Sequence, residues 1–257
     1  GKFSVAVGGG ALEVQNFTSA TNAYNTGVGW LAGNAVTTGT NNTLIGGLAG
    51  DAITTGSLNT ALGYNSLGAN TTASHVTAVG NAALTANTTG TRNTAVGSEA
   101  ADAINTGQDN TAIGSLALSA DTKGNYSTAI GRGALKTQNF TSSTSAHNTA
   151  VGYSAGESVT TGVQNTLVGG LAGDAITDDN DTTAVGYGAL SSATVGTNTA
   201  VGSEALQLST TGINNVAVGA QAGRYVTTAD TSTFVGFAAG QGITGTRLTG
   251  NNNTAVG

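Results

Sequence analysis

Segments of the type Asn-Thr-Ala-Val-Gly recur along the whole chain and alternate between two sets of side chains. In the copy at residues 93–97, Thr94 and Val96 share one face of an extended segment while Ala95 points to the other. Fifteen copies start at residues 4, 25, 42, 59, 76, 93, 110, 127, 148, 165, 182, 198, 215, 232 and 253. The steps between them are 17 residues, except for one of 16 and three of 21. Because Thr and Val favour strands, this period predicts a solenoid of stacked short strands.

The residues of each unit are numbered from its first residue, which is Asn in most copies. Positions 4 and 5 are the most constant. Position 4 is always branched, and we expect it to form the core ladder of the coils, through Val28, Ile45, Val79, Val96, Ile113, Ile130, Val151, Val168, Val185, Val201, Val218 and Val235. Position 5 is always glycine, which predicts a turn with positive φ or with no space for a side chain, at Gly29, Gly46, Gly63, Gly80, Gly97, Gly114, Gly131 and Gly152. On this interpretation, Val96→Asp would bury an unpaired charge and disrupt several coils.

The rest of the unit completes one coil. Asn at position 1, in ten of the fifteen units, favours a turn or a stacked amide ladder. A small residue at position 8 and a Leu or Gly at position 9 predict a short second strand, and Thr-Thr-Gly predicts a polar corner. Recurring glycine leaves no helical period. We therefore expect an all-β fold, a parallel β-solenoid (β-roll) of about 15 coils with a rise of roughly 4.8 Å per coil.

A longer order is superimposed on this period. Residues 8–67 match residues 131–190 at a constant offset of 123. We interpret residues 1–257 as a single repetitive segment with an internal duplication, and we expect it to be part of a longer fibre because it stops on a repeat boundary. The three longer steps each add four residues, which predicts local surface bulges, the last of them within residues 242–251.

Composition narrows the classes of partner. Glycine is 41 of 257 residues without any proline, which excludes collagen. The net charge is −6 and the seven Lys and Arg are scattered, so we expect no nucleic-acid partner. No apolar run approaches the ~20 residues of a membrane span, so we expect no membrane insertion of this segment. Cysteine is absent, which rules out disulfides and thiolate metal sites.

Each coil supplies few large apolar side chains, yet apolar residues stand on both faces of its first strand. A monomer needs only one buried face. Ala at positions 3 and 8 would allow two backbones to approach closely. We therefore expect a homo-oligomer, most simply a homotrimer in which one face forms each chain's core and the other the shared axis.

Two groups of proteins carry similar repeats. The segment Ser4-Val5-Ala6-Val7-Gly8-Gly9-Gly10-Ala11 resembles the head repeat of trimeric autotransporter adhesins of the YadA type, although its period here is longer. The 17-residue form with Leu and Thr-Thr-Gly also resembles repeats of bacteriophage tail fibres. The resemblance covers essentially the whole chain. It implies a trimeric β-roll that serves in attachment, with a host-surface glycan or protein as the receptor.

Residues that could carry chemistry are sparse. Most acids take equivalent places in different units, as Asp51 does with Asp174, which is typical of tolerated surface positions. We expect no enzyme, no catalytic residue and no cofactor. Asp178, Asp179 and Asp181 form one acidic corner that could hold Ca²⁺, but a solvated corner is the favoured interpretation and we predict no metal site. His75 and His147 occur singly.

Five aromatic residues directly follow the turn glycine, which predicts that they lie outside the turn. They are candidates for receptor contacts, because exposed aromatic rings stack on sugars; the alternative is that they cover the glycine turn of a neighbouring coil or subunit. These residues are Trp30, Tyr64, Tyr153, Tyr187 and Phe237.

The repeat thus predicts a structural and adhesive fibre segment. We favour the shaft or head of a trimeric phage tail fibre that mediates host attachment, and the alternative is the head of a bacterial trimeric autotransporter adhesin. The expected location is the virion tail fibre or the cell surface. Two lesser alternatives are a glycan-cleaving tailspike and an ice-binding solenoid. The Thr columns suggest the latter, but one of them shares a face with the expected core Val, which counts against it.

Overall fold

The computed structural model describes residues 1–242 and 248–257. The described part is all-β without helix, and it is a parallel β-solenoid of about 15 coils. Its strands are β1 (Val5–Val7), β2 (Thr26–Val28), β3 (Thr43–Ile45), β4 (Thr60–Leu62), β5 (Thr77–Val79), β6 (Thr94–Val96), β7 (Thr111–Ile113), β8 (Gly124–Asn125), β9 (Thr128–Ile130), β10 (Thr144–Ser145), β11 (Thr149–Val151), β12 (Thr166–Val168), β13 (Thr183–Val185), β14 (Thr199–Val201), β15 (Val216–Val218), β16 (Thr233–Val235) and β17 (Thr254–Val256).

The coils form two compact units. The first comprises Gly1–Tyr126 with Asn139–Thr144, and the second comprises Ser127–Gln138 with Ser145–Gly257. In the first unit β1 to β7 pair in chain order, always parallel and in register, so that Ala95 lies beside Ala112. In the second unit β9 and β11 to β17 pair in the same way. The predicted fold class is therefore confirmed for the single chain.

In the coils between the two ends of the chain, the interior is built from position 3, not from position 4. Ala95 is fully buried, whereas Val96 is 36% exposed. The predicted core ladder was wrong, because all of its members lie half-buried or exposed on the outward face: Val28, Ile45, Val79, Val96, Ile113, Ile130, Val151, Val168, Val185, Val201, Val218 and Val235. The physical reason is the thinness of the coil. A Cβ on Gly27, at position 3, would lie 2.9 Å from Leu12 Cγ and 3.1 Å from the carbonyl oxygen of Ala32.

Positions 9 and 12 share the remaining interior volume. Where position 9 is Gly, position 12 is Val or Ile, and a Cβ on Gly173 would lie 2.8 Å from Ile176 Cδ1. Where position 9 is Leu, position 12 is small or polar, as in the pair Leu190 and Ala193. All four of these residues are buried. Each coil thus fills its core with one large aliphatic group from either position, and close packing explains the exchange.

The turn glycines are required by both conformation and space. Gly29, Gly46, Gly63, Gly80, Gly97, Gly114, Gly131 and Gly152 have φ between 129° and 142°. This region of φ is open to glycine and closed to most other residues. A Cβ on Gly29 would also lie 2.5 Å from the carbonyl oxygen of Gly46, so consecutive turns stack backbone on backbone.

A ladder of buried asparagine side chains connects the coils. Asn42 Nδ2 donates to the carbonyl oxygen of Gly56 at 2.9 Å, which closes its own coil at the polar corner. Asn42 Oδ1 accepts from the backbone N–H of Asn59 at 3.0 Å, which joins the next coil. Asn165 makes the same pair of bonds to the carbonyl of Asp179 and to the N–H of Thr182. Buried polar groups without partners are costly, so this arrangement fixes both the corner and the stacking register.

Units without Asn at position 1 use other polar side chains. The side chain of Val76 has no hydrogen-bond donor. In its coil the corner carbonyl oxygen, that of Gly90, instead accepts from Asn87 Nδ2 at 3.0 Å. Thr182 Oγ1 donates to the carbonyl oxygen of Gly196 at 2.9 Å. The corner carbonyl therefore receives a side-chain donor in these coils even though the donating residue changes.

The two described insertions each combine an exposed tip with an inward aromatic residue. Residues 18–20 and 141–143 are exposed, as expected for surface bulges. Phe140 is only 5% exposed, however, and its carbonyl oxygen accepts from Thr122 Oγ1 at 2.9 Å. Phe17, its counterpart, is half-buried. The bulge predicted within residues 242–251 falls largely on residues 243–247, which lie outside the described residues.

A charge at position 3 should be far more damaging than a charge at position 4. We expect Ala95→Asp to lower the free energy of unfolding by more than about 3 kcal/mol, because it buries an unpaired carboxylate. Val96→Asp should cost about 1 kcal/mol or less in the isolated chain, because the side chain reaches water. Guanidinium unfolding of the monomeric chain, followed by circular dichroism, measures both, and equal losses in the monomer would contradict the inside–outside assignment.

The shared volume of positions 9 and 12 predicts a compensating pair of substitutions. Leu190→Gly should cost about 3–5 kcal/mol by leaving a cavity, and Ala193→Ile should cost about 1–3 kcal/mol by overpacking. The double variant recreates the natural combination of Gly173 with Ile176, so its loss should be clearly smaller than the sum. A strictly additive double-mutant cycle would show that the two positions fill separate spaces.

Candidate functional surfaces

The five aromatic residues of position 6 are the most exposed large side chains of the solenoid turns. Trp30, Tyr64, Tyr153, Tyr187 and Phe237 are between 55% and 75% exposed. They belong to a column of position-6 residues, one per coil, which we call the aromatic column. In the first unit it reads Gly9, Trp30, Gly47, Tyr64, Asn81, Ser98 and Ser115.

Three of these rings rest on a glycine of the preceding coil. A Cβ on Gly9 would lie 3.7 Å from Trp30 Cδ1, and a Cβ on Gly47 would lie 3.6 Å from Tyr64 Cδ2. In the second unit, a Cβ on Gly170 would lie 3.5 Å from Tyr187 Cδ2. Tyr153 instead lies below the guanidinium of Arg132, 5.8 Å from its ring centroid. The rings therefore do cover neighbouring turns, and more than half of each side chain still faces water.

Positions 2 and 4 form the second surface, the outward face of the sheet. In the first unit, Thr60, Thr77 and Thr94 are half-buried beside the position-4 column that includes Leu62 and Val96. Sequence reasoning missed this face because it placed the branched column inside. Both columns repeat once per coil on paired parallel strands, so hydroxyl and methyl groups alternate with apolar side chains across a regular surface.

The acidic corner is engaged in local hydrogen bonds. Asn180 Oδ1 accepts from the backbone N–H of Val163 at 2.8 Å, and Asp178 Oδ1 accepts from Thr177 Oγ1 at 3.0 Å. Burial raises the pKa of Asp179, and the charge of Asp178 raises it further. Across residues 1–242 and 248–257, no group of three His, Cys, Asp or Glu side chains is placed to hold a metal ion. His75 and His147 are both exposed.

Position 10 carries carboxyl groups in unusual environments. Burial raises the pKa of Asp51, Asp102 and Asp174. The Oδ1 atoms of Asp102 and Asp174 are buried without a hydrogen-bond partner. By contrast, Asp109 Oδ1 accepts a hydrogen bond from Arg92 Nε at 2.6 Å, and this ion pair lowers the pKa of the Asp109 carboxyl. Asp102 belongs to the coil that begins at Asn93, and Asp174 to the coil that begins at Asn165.

No protein-family model, curated protein or solved structure matches this chain. In the described part of the chain, no helix has the length and apolar character that a membrane span requires.

The carboxyl environments predict opposite pH effects for two matched variants. The raised pKa of Asp102 means that its charge opposes folding at neutral pH, and that this penalty disappears as the pH falls through the raised pKa. Asp102→Asn should therefore stabilise the chain at neutral pH. The lowered pKa of Asp109 means that its charge supports folding at neutral pH, so Asp109→Asn should destabilise.

The stability differences between each variant and the parent chain should shrink towards zero in acid, because the carboxyls of Asp102 and Asp109 are then protonated in both the folded and the unfolded state. Thermal unfolding across the acid range, with both variants measured beside the parent, checks this. Shifts of the same sign for Asp102→Asn and Asp109→Asn would contradict the assigned environments.

Proposed function

We propose that this chain is a segment of a homotrimeric attachment fibre, and that it forms the shaft or head of a bacteriophage tail fibre. The head of a bacterial trimeric adhesin is the alternative. In this role the solenoid supplies a stiff scaffold that holds receptor-contacting groups at the virion or cell surface. The resemblance of the repeat to both groups of fibres supports the attachment role and the number three.

The observation that carries the proposal is the apolar outward face. In the first unit it presents seven large aliphatic side chains in one column, all half-buried or exposed: Val7, Val28, Ile45, Leu62, Val79, Val96 and Ile113. Monomeric soluble proteins rarely leave so continuous an apolar surface uncovered. Full burial of one such side chain stabilises by about 1.5–3 kcal/mol. Because each side chain is only partly buried in the single chain, burial of its exposed part would stabilise association at every coil.

Parallel packing of identical chains fits the chemistry of this face. Each coil repeats the Thr and Val columns at the same spacing, so neighbouring chains aligned in the same direction would meet like with like at each coil. A closed three-fold arrangement would cover the face on all copies at once. The exposed aromatic column follows the turn after the strand and would remain available for a host-surface glycan or protein.

Ice binding is the second candidate, and one observation now favours it. The position-2 Thr column and the position-4 column both lie on the outside, which removes the main argument against an ice-binding face. Regular arrays of Thr hydroxyl and methyl groups on a flat sheet are the chemistry that this function uses. Trimer formation and ice binding would compete for the same face, so the assembly state discriminates between them.

Light scattering on the purified chain measures the assembly state directly. We expect the mass of three chains, and we expect Val79→Arg to reduce it to one chain because the cation would be placed in the apolar contact. Thr89→Arg, at an exposed polar corner, is the matched control and should leave the trimer intact. A monomeric parent chain would contradict the proposal, and thermal hysteresis from that monomer would favour ice binding instead.

A further inference from the structure

We propose that the aromatic column is a binding platform for extended β-1,4-linked polysaccharides, with Trp30 and Tyr64 as one stacking pair and Tyr153 and Tyr187 as another. This inference rests on the proposed attachment role and names the class of receptor. It is carried by the alternation of glycine and aromatic residues along the column.

The spacing of the rings is set by the ladder of coils. In the first unit, the backbone N–H of Leu48 donates to the carbonyl oxygen of Trp30 at 2.9 Å, and that of Asn65 donates to Gly47 at 2.9 Å. These bonds place position 6 of consecutive coils one strand spacing apart. Trp30 and Tyr64 are two coils apart, which corresponds to roughly 9.5 Å. Tyr153 and Tyr187 of the second unit have the same two-coil separation, with Gly170 between them.

The glycines determine how the rings are presented. Each of Trp30, Tyr64 and Tyr187 lies in the space that a side chain at the preceding coil would occupy, at ordinary contact distance from that position. One part of the ring is therefore supported by backbone, and the remainder faces water. A Cβ at Gly47 would just touch the Tyr64 ring, and a long side chain there would compete with the ring for this space. The column therefore combines a flat support with an exposed ring face.

The chemistry of the column points to a neutral, extended sugar chain. Pyranose rings expose C–H groups on their faces, and these stack on aromatic rings. A β-1,4-linked chain is extended and repeats its orientation every second sugar, a period comparable with the two-coil spacing of the rings. The first-unit column carries no charged residue, so it offers no ion pair to a charged partner. A neutral polysaccharide therefore fits the Trp30 and Tyr64 pair better than a charged partner does.

Trp30 is the only tryptophan of the chain, so its fluorescence reports directly on this platform. We expect soluble β-1,4-gluco-oligosaccharides or chito-oligosaccharides to change the emission of the full chain, and the two sugars distinguish a glucan from a chitin-like receptor. Tyr64→Ala, which retains the Trp30 reporter, should weaken binding about three- to tenfold, because one stacking contact is lost. Gly47→Glu should weaken it similarly by displacing the Tyr64 ring.

Tyr126→Ala is the matched control, because Tyr126 is an exposed aromatic residue at a different corner of the coil. It should leave binding unchanged. Retention on insoluble cellulose and chitin measures the second platform, which Tyr153→Ala with Tyr187→Ala should weaken. Folding of every variant is checked by circular dichroism.

Several results would overturn the inference. One is the absence of any emission change or retention with β-1,4-linked glycans; another is equal binding of α-linked starch, which lacks the extended repeat. A loss of binding in Tyr126→Ala as large as in Tyr64→Ala would also overturn it. If the chain is a trimer but fails these tests, the polysaccharide platform is refuted and the fibre proposal is not. If the chain is a monomer but passes them, the fibre proposal is refuted and the platform is not.

Discussion

The buried asparagine ladder is the interaction on which the coil depends. Each coil must turn a polar corner against a closely packed apolar interior, so the buried corner carbonyl needs a donor from inside. Asn supplies that donor with its Nδ2 and accepts the next coil's backbone N–H with its Oδ1, as Asn42 does between Gly56 and Asn59. One side chain therefore satisfies two buried groups, and repetition of the side chain repeats the coil. Asn87 and Thr182 show that the donor, more than the residue type, is what the corner requires.

The same thinness explains which face lies outside. Only a methyl group, or a larger one opposite a glycine, fits at position 3, so the branched residues of position 4 must face outward. The outward face is consequently apolar and regular, and this single consequence motivates the proposed self-association. The turn that follows places position 6 on an exposed edge, where glycine and aromatic residues alternate over part of the column, as from Gly9 to Tyr64. Core geometry thus generates both surfaces that we connect with function.

The sequence was sufficient to predict the period, the first strand of each unit, the turn glycines and the parallel stacking, because each follows from a local rule repeated fifteen times. The short second strand predicted at positions 8 and 9 was wrong, because in the described coils these residues form turns that follow the glycine. It did not decide which face of the strand is buried, since Thr94 and Val96 on one side and Ala95 on the other are all compatible with a core. A signal did exist: Leu44, Leu167 and Phe234 at position 3 each accompany Gly at position 9, which indicates facing positions. Inward placement of Phe140 depends on tertiary space, and no local pattern predicts it.

The most direct test of this account is the stability of Asn42→Ala compared with Asn81→Ala. Asn42 is buried and its loss would leave the Gly56 carbonyl and the Asn59 N–H without partners, whereas Asn81 is an exposed residue of the aromatic column. Chemical unfolding should show a loss of at least about 2 kcal/mol for Asn42→Ala, since each unsatisfied buried group costs about 1–3 kcal/mol, and almost none for Asn81→Ala. Equal and small losses in both variants would contradict the claim that the amide ladder holds the coils together.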